Sequence, residues 1–173
     1  MLCYMIDDII RRLGYLALGT RLKRLGERMQ GHTQLILDEH GLAIQAAQFP
    51  FLAAIAWLGS ATVGELADAV GVSQPAATRT LAQLAEAGFV TITMAADDQR
   101  RKAVVLAKKG RQLVEAGERE VWPVIEAAVK DLCAELSGPL LEQLAAIEDG
   151  LAMMPLDHRA AVVRTGAPKA RAR

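Results

Sequence analysis

The sequence predicts a mainly helical α+β protein in which one short two-stranded ribbon accompanies a series of helices. Of the 173 residues, 52% are hydrophobic but only 4% are aromatic, a composition typical of Ala/Leu-rich helical proteins. Apolar residues recur at three- and four-residue spacing along most of the chain, whereas strict alternation with polar residues occurs around residues 89–106. This length allows one domain with a sizeable core, or a compact domain with helical extensions.

The first forty residues predict a helix with a break or kink inside it. Apolar side chains repeat at helical spacing from about Tyr4 to His40, and Gly41 is predicted to end the helix. Four glycines within it lower its helix propensity, each by roughly 1 kcal/mol relative to alanine. These glycines are Gly14, Gly19, Gly26 and Gly31.

The next two helices have clearer signals at their ends. One is predicted over residues 46–58, where Pro50 must lie in the first turn because a proline in the interior would break the helix. The other begins at Thr62, which forms the capping-box pattern T-x-x-E with Glu65. Gly71 is predicted to end it.

A fourth helix is predicted to begin at Ser73, its N-cap, and to end at Gly88, with Pro75 in its first turn. The apolar residues at spacing i, i+4 and i+7 must pack inward; they are Ala77, Leu81 and Leu84. The opposite face is therefore predicted to face solvent, and it carries Pro75, Ala76, Arg79, Gln83 and Glu86.

Beyond that helix, residues 89–94 and 104–106 alternate as the two strands of a ribbon do, and residues 95–101 form its charged tip. A long helix follows towards Leu136, and Pro123 is expected to kink it. Ser137 is predicted to cap a last helix. The chain is then predicted to end in a disordered basic tail, residues 158–173.

The formal net charge is zero, but the charge is unevenly distributed. It is +3 over residues 1–31, −4 over 32–70, +3 over 71–110, −7 over 111–157 and +5 over 158–173. Because phosphate attraction acts within a Debye length of about 8–10 Å, local charge matters more than the sum. The acidic stretch is interpreted as a solvated helix face, and the tail either adds non-specific DNA affinity or has no role.

Several protein classes are disfavoured by the sequence. Charges interrupt the apolar N-terminus too early for an export signal, and the most apolar stretch, residues 42–58, is shorter than the ~20 residues a membrane span needs. Cys3 and Cys133 do not make a disulfide framework. We therefore expect a cytoplasmic protein without a membrane partner. The scattered histidines and the lack of enzyme motifs predict no metal, no cofactor and no catalysis.

The fourth helix has the chemistry of a DNA-reading helix. Its N-terminus presents unsatisfied N–H groups and a partial positive charge, which favour a phosphate-rich surface, and an α-helix fits the major groove. Arg79 offers two donors to guanine, while Gln74 or Gln83 suits a base or a phosphate. Ala76 is small enough to touch a thymine methyl. The simpler interpretation of these residues is an ordinary solvated helix face.

The tip of the ribbon suggests a second contact with DNA. Asp98 and Arg100 are two residues apart, so the carboxylate can hold the guanidinium in place on one side of the loop. An oriented arginine suits the narrow minor groove, where negative potential is concentrated, and Arg101 and Lys102 would then contact phosphates. Alternatively, Asp98 and Arg100 form only a surface ion pair worth about 0–1 kcal/mol.

A succession of motifs in this region indicates a family. In chain order they are Gly41-Leu42, Gln48-Phe49, Thr62-Val63-Gly64-Glu65-Leu66-Ala67, Val72-Ser73-Gln74-Pro75, Thr78-Arg79, Gly88-Phe89-Val90 and Asp98-Gln99-Arg100-Arg101-Lys102-Ala103-Val104-Val105-Leu106. With these motifs, residues 41–110 resemble the MarR family of bacterial winged helix-turn-helix regulators. The last motif matches the D-x-R-x-x-x-V-x-L pattern of the family's wing and is the most specific.

The resemblance implies a mainly α (α+β winged helix) subunit in a two-fold homodimer. It implies an N-terminal dimerisation helix over residues 1–40, a DNA-binding domain over 41–110 and C-terminal dimerisation helices over 111–157. The DNA-binding residues that it implies are Ser73, Gln74, Pro75, Ala76, Thr78, Arg79 and Gln83 on the major-groove helix, with Asp98, Arg100, Arg101 and Lys102 on the wing. Two departures from the family pattern matter. Ala107 replaces the Thr that usually caps the following helix. Ala76 and Ala77 replace the more common Thr and Val, which reduces side-chain contacts with bases at the start of the major-groove helix.

We therefore predict a DNA-binding transcriptional regulator: a ligand-responsive repressor that binds a near-palindromic double-stranded operator as a homodimer. A small-molecule effector, or oxidation of Cys3, would shift the dimer to a spacing that no longer fits DNA; otherwise Cys3 is an inert thiol. Phe49, Trp57 and Trp122 are interpreted as core residues rather than as the lining of an effector pocket. The rival hypothesis is a winged-helix protein-interaction or dimerisation module that binds no DNA.

Overall fold

The computed structural model describes residues 8–94 and 102–165. Within these ranges the helices are α1 (Ile9–Arg12), α2 (Leu18–Glu39), α3 (Phe49–Leu58), α4 (Val63–Val70), α5 (Gln74–Glu86), α6 (Lys108–Ala116), α7 (Trp122–Leu132), α8 (Leu140–Met153) and α9 (Leu156–Thr165). The strands are β1 (Val90–Met94) and β2 (Lys102–Leu106). This architecture confirms the predicted mainly α winged-helix class. The chain forms two compact units that divide after Ala128.

The predicted break in the N-terminal helix lies at Gly14, which has a φ of +55° and begins a 3₁₀ turn over Gly14–Ala17 between α1 and α2. A left-handed φ is accessible to glycine without the steric cost that a Cβ brings. The three later glycines lie inside an uninterrupted α2, so they do not break it. Gly41 follows the end of α2 with a φ of +67°, and the Leu42 N–H donates to the Leu37 carbonyl at 3.0 Å, as a Schellman motif requires.

An ion pair that sequence analysis did not anticipate ties α1 to α2. Asp8 caps α1 by accepting a hydrogen bond from the Ile10 N–H at 3.2 Å. The Arg24 guanidinium donates to both Asp8 carboxylate oxygens, at 3.0 and 2.7 Å. This hydrogen bonding to the charged form lowers the pKa of Asp8 from 3.8 to about 2.

The core lies where α3, α4, α5 and the ribbon meet. One cluster of buried side chains joins these elements, and its most deeply buried members include Leu52, Ile55, Leu66, Leu81, Leu84 and Val104. Helix α6 adds Leu113 and Val114 to the same cluster. The core therefore fixes α5 from one side and leaves its other side exposed.

The ribbon is antiparallel, with Val90 opposite Leu106 at one end and Met94 opposite Lys102 at the other. Ala61 extends it by pairing with Val104, through hydrogen bonds of 3.2 and 2.8 Å between their backbones. Strand β2 thus lies between β1 and Ala61. Because β1 is the outer strand, its Ile92 is 45% exposed while the opposing Val104 is 0% exposed.

The C-terminal half of the chain corrects three predictions. The irregularity expected at Pro123 takes the form of a π-helical turn over Gly117–Val121, between α6 and α7. Ser137 does not cap the last helix, because α8 has Pro139 at its N-cap position without a side-chain hydrogen bond. The tail predicted as disordered from residue 158 is helical as far as Thr165, within α9; residues 166–173 lie outside the described ranges.

Within the second unit, the Arg159 side chain joins α9 to the end of α8. Its Nε donates to the Met154 carbonyl at 2.9 Å, and its Nη2 donates to the Gly150 carbonyl. A guanidinium is well suited to the unsatisfied carbonyls at a helix C-terminus, because it also complements the helix dipole there. None of the helices in the described ranges is long and apolar enough to cross a membrane.

Candidate nucleic-acid interface

Helices α4 and α5 form a helix-turn-helix whose turn follows from local chemistry. The capping box at the start of α4 is present: the Glu65 N–H donates to Thr62 Oγ1 at 3.3 Å, and the Thr62 N–H donates to Glu65 Oε2 at 2.7 Å. Gly71 ends α4 in the left-handed conformation, with φ +73° and ψ 35°. Val72 then donates its N–H to the Ala67 carbonyl at 3.0 Å, and Ser73 follows directly as the N-cap of α5.

Helix α5 has a buried face and an exposed face, as its sequence predicts. Ala77, Leu81 and Leu84 are at most 1% exposed. The other face is accessible to solvent over its whole length, and it presents every residue predicted to contact DNA from this helix: Ser73, Gln74, Pro75, Ala76, Thr78, Arg79 and Gln83.

The N-terminus of α5 differs from the prediction in one respect. Ser73 occupies the N-cap position with an extended backbone, but its side chain makes no capping hydrogen bond. Its hydroxyl is therefore not used by the helix. The first N–H groups of α5 are consequently left without a side-chain acceptor, the arrangement that suits an anion outside the helix.

Three polar side chains on the exposed face have different surroundings. Thr78 donates its hydroxyl to the Gln74 carbonyl at 2.8 Å, so that hydroxyl is partly engaged within the helix. Gln83 Oε1 accepts a hydrogen bond of 3.4 Å from Gln48 Nε2, just before α3. Arg79 is exposed and makes no hydrogen bond or ion pair with the residues that the structure describes.

The wing residues can be placed only in part. Asp98, Arg100 and Arg101 lie outside the described residues, in the segment 95–101 that joins the strands. Lys102 is the first residue of β2 and pairs with Met94 through the backbone. The DNA contacts predicted for these four residues stay predictions.

Two supports of α5 were missed by sequence analysis. One is Gln48, which was noted only as part of a family motif. The other is Lys109 in α6, whose ammonium donates to the Ala87 carbonyl at the end of α5, at 2.9 Å. Both contacts join residues that are distant in sequence, by 35 and 22 positions, so no local spacing could have revealed them.

An open cleft of about 560 Å³ lies in the first unit, between α2 and the 3₁₀ turn Ala46–Gln48 that precedes α3. Gln34 crosses between these two elements: its Oε1 accepts from the Ala46 N–H at 2.8 Å, and its Nε2 donates to the Ile44 carbonyl at 3.1 Å. The cleft is lined by Glu27, Gln30, Gly31, Gln34, Gln45, Ala46 and Ala47.

The aromatic residues divide between packing and exposure. Phe49 and Trp122 are half-buried and pack against each other, with ring centroids 4.4 Å apart, and Trp122 also packs against the core cluster. Trp57, however, is 90% exposed. Its prediction as a core residue is wrong, because α3 directs Phe51, Leu52 and Ile55 inward and leaves position 57 on the opposite face.

Comparison with protein families agrees with this geometry. Residues 40–101 match the family model described as MarR family. Over these residues the chain is similar to the MarR family, and the described part of them has the helices and the strand of a winged helix. The match begins just after α2 and covers α3, α4, α5 and β1. It therefore includes the exposed face of α5 and the helices that pack behind it.

Solved structures of other proteins resemble a longer part of the chain. A cysteine-to-serine variant of E. coli MarR, complexed with operator DNA, is 25% identical, with a TM-score of 0.58; the match covers 85% of this chain and 98% of that one. The apo form of E. coli MarR is also 25% identical, with a TM-score of 0.56, over 79% and 95%. The M. tuberculosis transcriptional regulator MOSR, in complex with DNA, is 22% identical, with a TM-score of 0.62, over 79% and 95%.

Proposed function

We propose that this chain is a sequence-specific DNA-binding transcriptional regulator that acts as a homodimer. The observation that carries the proposal is the exposed face of α5, which presents Arg79 and Gln83 opposite a fully buried apolar face, on a MarR family domain. Two of the similar solved structures are complexes with DNA. We therefore name α5 the recognition helix.

The recognition helix suits the major groove in shape and in charge. It lacks a side-chain cap at its N-terminus, so its N–H groups and partial positive charge are available to a phosphate. Arg79 lies one turn further along, where its two parallel donors match guanine O6 and N7. Such a contact is worth about 1–3 kcal/mol of discrimination between bases.

Dimerisation is supported by the apolar side chains that the isolated chain leaves exposed. On α2, three of them recur at helical spacing, and on the C-terminal helices several more are 40–80% exposed. Exposed apolar side chains that share one helix face, as those on α2 do, mark an interaction site, and two-fold dimers are the commonest oligomers. The α2 residues are Leu22, Leu25 and Met29, and those on the C-terminal helices include Leu132, Leu141, Ile147 and Leu151.

The proposal includes repression of a target gene and its relief by a small-molecule effector. The open cleft beside Gln34 supports the second part, because a ligand there would compete for the hydrogen bonds that join α2 to the segment before α3. A reporter gene behind the bound site tests the first part, and release of the operator by compounds that raise the melting temperature tests the second. Activation of the reporter would contradict repression.

The test of DNA binding is a band-shift titration over a range of salt concentrations. The probe is the duplex that the wild-type protein selects from a randomised library. Arg79→Ala is expected to lose about 5- to 150-fold in affinity, the equivalent of one bidentate base contact, and Arg100→Ala is expected to weaken binding through the minor groove. Arg28→Ala, which removes the same charge from the exposed surface of α2, is the control and should bind as the wild type does.

The rival hypothesis is a protein-interaction module, and the same titration separates it. A module of that kind selects no duplex and shows no loss of affinity with rising salt. Unchanged affinity in both the Arg79→Ala and the Arg100→Ala variants would also contradict the proposed function.

A further inference from the structure

The C-terminal end of the recognition helix is fixed by backbone and side-chain hydrogen bonds. Phe89 and Gly88 donate their N–H groups to the Leu84 and Ala85 carbonyls, at 2.9 and 3.0 Å, which is the Schellman arrangement. Gly88 adopts the φ of +74° that this turn requires. The carbonyl of Ala87, the C-cap residue, accepts a hydrogen bond of 2.9 Å from the Lys109 ammonium. The positive charge also complements the negative end of the helix dipole.

Lys109 makes a second contact at the same place. Its ammonium lies 4.5 Å from the centroid of the Phe89 ring, within the range of a cation–π interaction. Phe89 itself is 3% exposed and belongs to the core. One lysine side chain therefore joins the first turn of α6 both to the last carbonyl of the recognition helix and to the core residue that follows it.

The backbones of the two elements also touch directly. The Ala107 N–H donates to the Phe89 carbonyl at 2.9 Å. A Cβ added to Gly110 would lie 2.0 Å from the same carbonyl oxygen, so only glycine allows this approach. The start of α6 and the end of the recognition helix are thus held in one arrangement by a side chain and by the backbone.

We propose that Lys109 is a positioning residue for DNA recognition: it sets the angle of the recognition helix by fixing its C-terminal end to α6. The inference rests on the proposed function of the chain. The recognition helix has 13 residues, about 20 Å at 1.5 Å per residue. A tilt of about 3° at its fixed end would therefore displace the N-terminus by about 1 Å, which exceeds the tolerance of hydrogen bonds to bases.

This role differs from a direct contact between Lys109 and a phosphate. A phosphate contact contributes equally to all sequences and releases a counterion, so its removal lowers the salt dependence by about one charge. A positioning residue affects the operator, whose bases must meet Arg79 and Gln83, and leaves affinity for other DNA and the salt dependence unchanged. The two roles therefore give different results for the same variant.

The test compares Lys109→Met with Lys109→Arg and with Lys108→Met. Methionine keeps much of the aliphatic stem but loses the donor and the charge, whereas arginine restores both. Lys108 is the neighbouring exposed lysine, for which the described residues show no side-chain hydrogen bond. For each protein, affinity for the selected operator and for a scrambled duplex is measured against salt concentration, at a temperature where thermal denaturation shows the protein to be folded.

Lys109→Met is expected to bind the operator about 3- to 10-fold more weakly, the equivalent of one ordinary hydrogen bond. Its affinity for the scrambled duplex and its salt dependence should match those of the wild type, and Lys109→Arg should recover most of the operator affinity. Gly110→Ala should act in the same direction and more strongly, and if it does not fold, the Lys109 variants decide alone.

Three results would overturn the inference. If Lys109→Met binds the operator as tightly as the wild type and Lys108→Met do, then Lys109 contributes only to stability. A salt dependence lowered by about one charge, with equal losses on both duplexes, would make it a phosphate contact. A wild-type protein that selects no duplex would refute the proposed function and this inference together, whereas the first two results refute only the inference.

Discussion

Two residues occupy N-cap positions in the helix-turn-helix, and the structure predicts that only one of them stabilises the fold through its side chain. Thr62 Oγ1 accepts from the Glu65 N–H at 3.3 Å and contacts Glu65 Oε2 at 2.8 Å. Ser73, at the equivalent position of the recognition helix, makes no capping hydrogen bond. Replacing Thr62 and Ser73 by alanine in separate variants therefore gives a matched pair.

Thr62→Ala is expected to lower the free energy of unfolding by about 1 kcal/mol, the usual loss for an N-cap. For a chain of this size that corresponds to a fall of about 2–4 °C in Tm. Ser73→Ala is expected to change the free energy of unfolding by less than about 0.5 kcal/mol, as at an ordinary surface position. Thr62→Ser keeps the hydroxyl and should recover most of the loss.

Urea denaturation followed by far-ultraviolet circular dichroism measures these differences, and thermal denaturation provides a second reading. The slope of the free energy against urea concentration should be the same in all variants, because the surface exposed on unfolding does not change. If Thr62→Ala and Ser73→Ala lower the free energy of unfolding equally, the reasoning is refuted, since both caps would then contribute alike. A larger loss of stability for Ser73→Ala would also refute it.

Three further predictions concern the core, the N-terminal segment and the dimer. Leu84→Ala, at a position with 0% exposure, should lower the free energy of unfolding by about 2–5 kcal/mol in urea denaturation; a loss below 1 kcal/mol would contradict its place in the core. Since the folded-state pKa of Asp8 is lowered from 3.8 to about 2, its ion pair with Arg24 should stabilise the docked α1 above about pH 4 and be lost as the pH falls through 2. The protection of α1 against hydrogen exchange should fall over the same pH range, and Asp8→Asn should remove this pH dependence. An unchanged pH dependence in that variant would show that other groups cause it. Leu25→Glu together with Met29→Glu should convert the proposed dimer to monomer in analytical ultracentrifugation, and a persistent dimer would place the interface elsewhere.

Much of the fold could be predicted because its signals are local. Gly41, Gly71 and Gly88 end helices with positive φ, and the spacing of apolar residues gave the buried face of α5. The Thr62–Glu65 capping box also needs only four consecutive residues. Each of these features depends on backbone conformations that the nearby sequence already constrains.

The features that could not be predicted depend on residues far apart in the chain. The Asp8–Arg24 ion pair and the Lys109 contact require the tertiary structure to bring their members together. Trp57 was assigned to the core because of its apolar ring, but the direction of α3 exposes it. Ser73 has the residue type of a cap, yet residue type does not fix the direction of a hydroxyl.

The candidate site shows the same division. Periodicity was sufficient to predict which residues of α5 face outward, and all of them do. The supports of α5 came only from the structure: Gln48 contacts its exposed face and Lys109 contacts its C-terminal end. The wing contacts of Arg100 rest on a sequence motif and stay predictions.

The central claim is that two copies of this chain place their recognition helices on one DNA duplex. Hydroxyl-radical footprinting of the selected operator tests it most directly. The account predicts two protected patches related by a two-fold axis, about one helical turn apart on one face of the duplex, and their loss in Arg79→Ala. A single patch, protection that does not depend on Arg79, or no protection at all would contradict it.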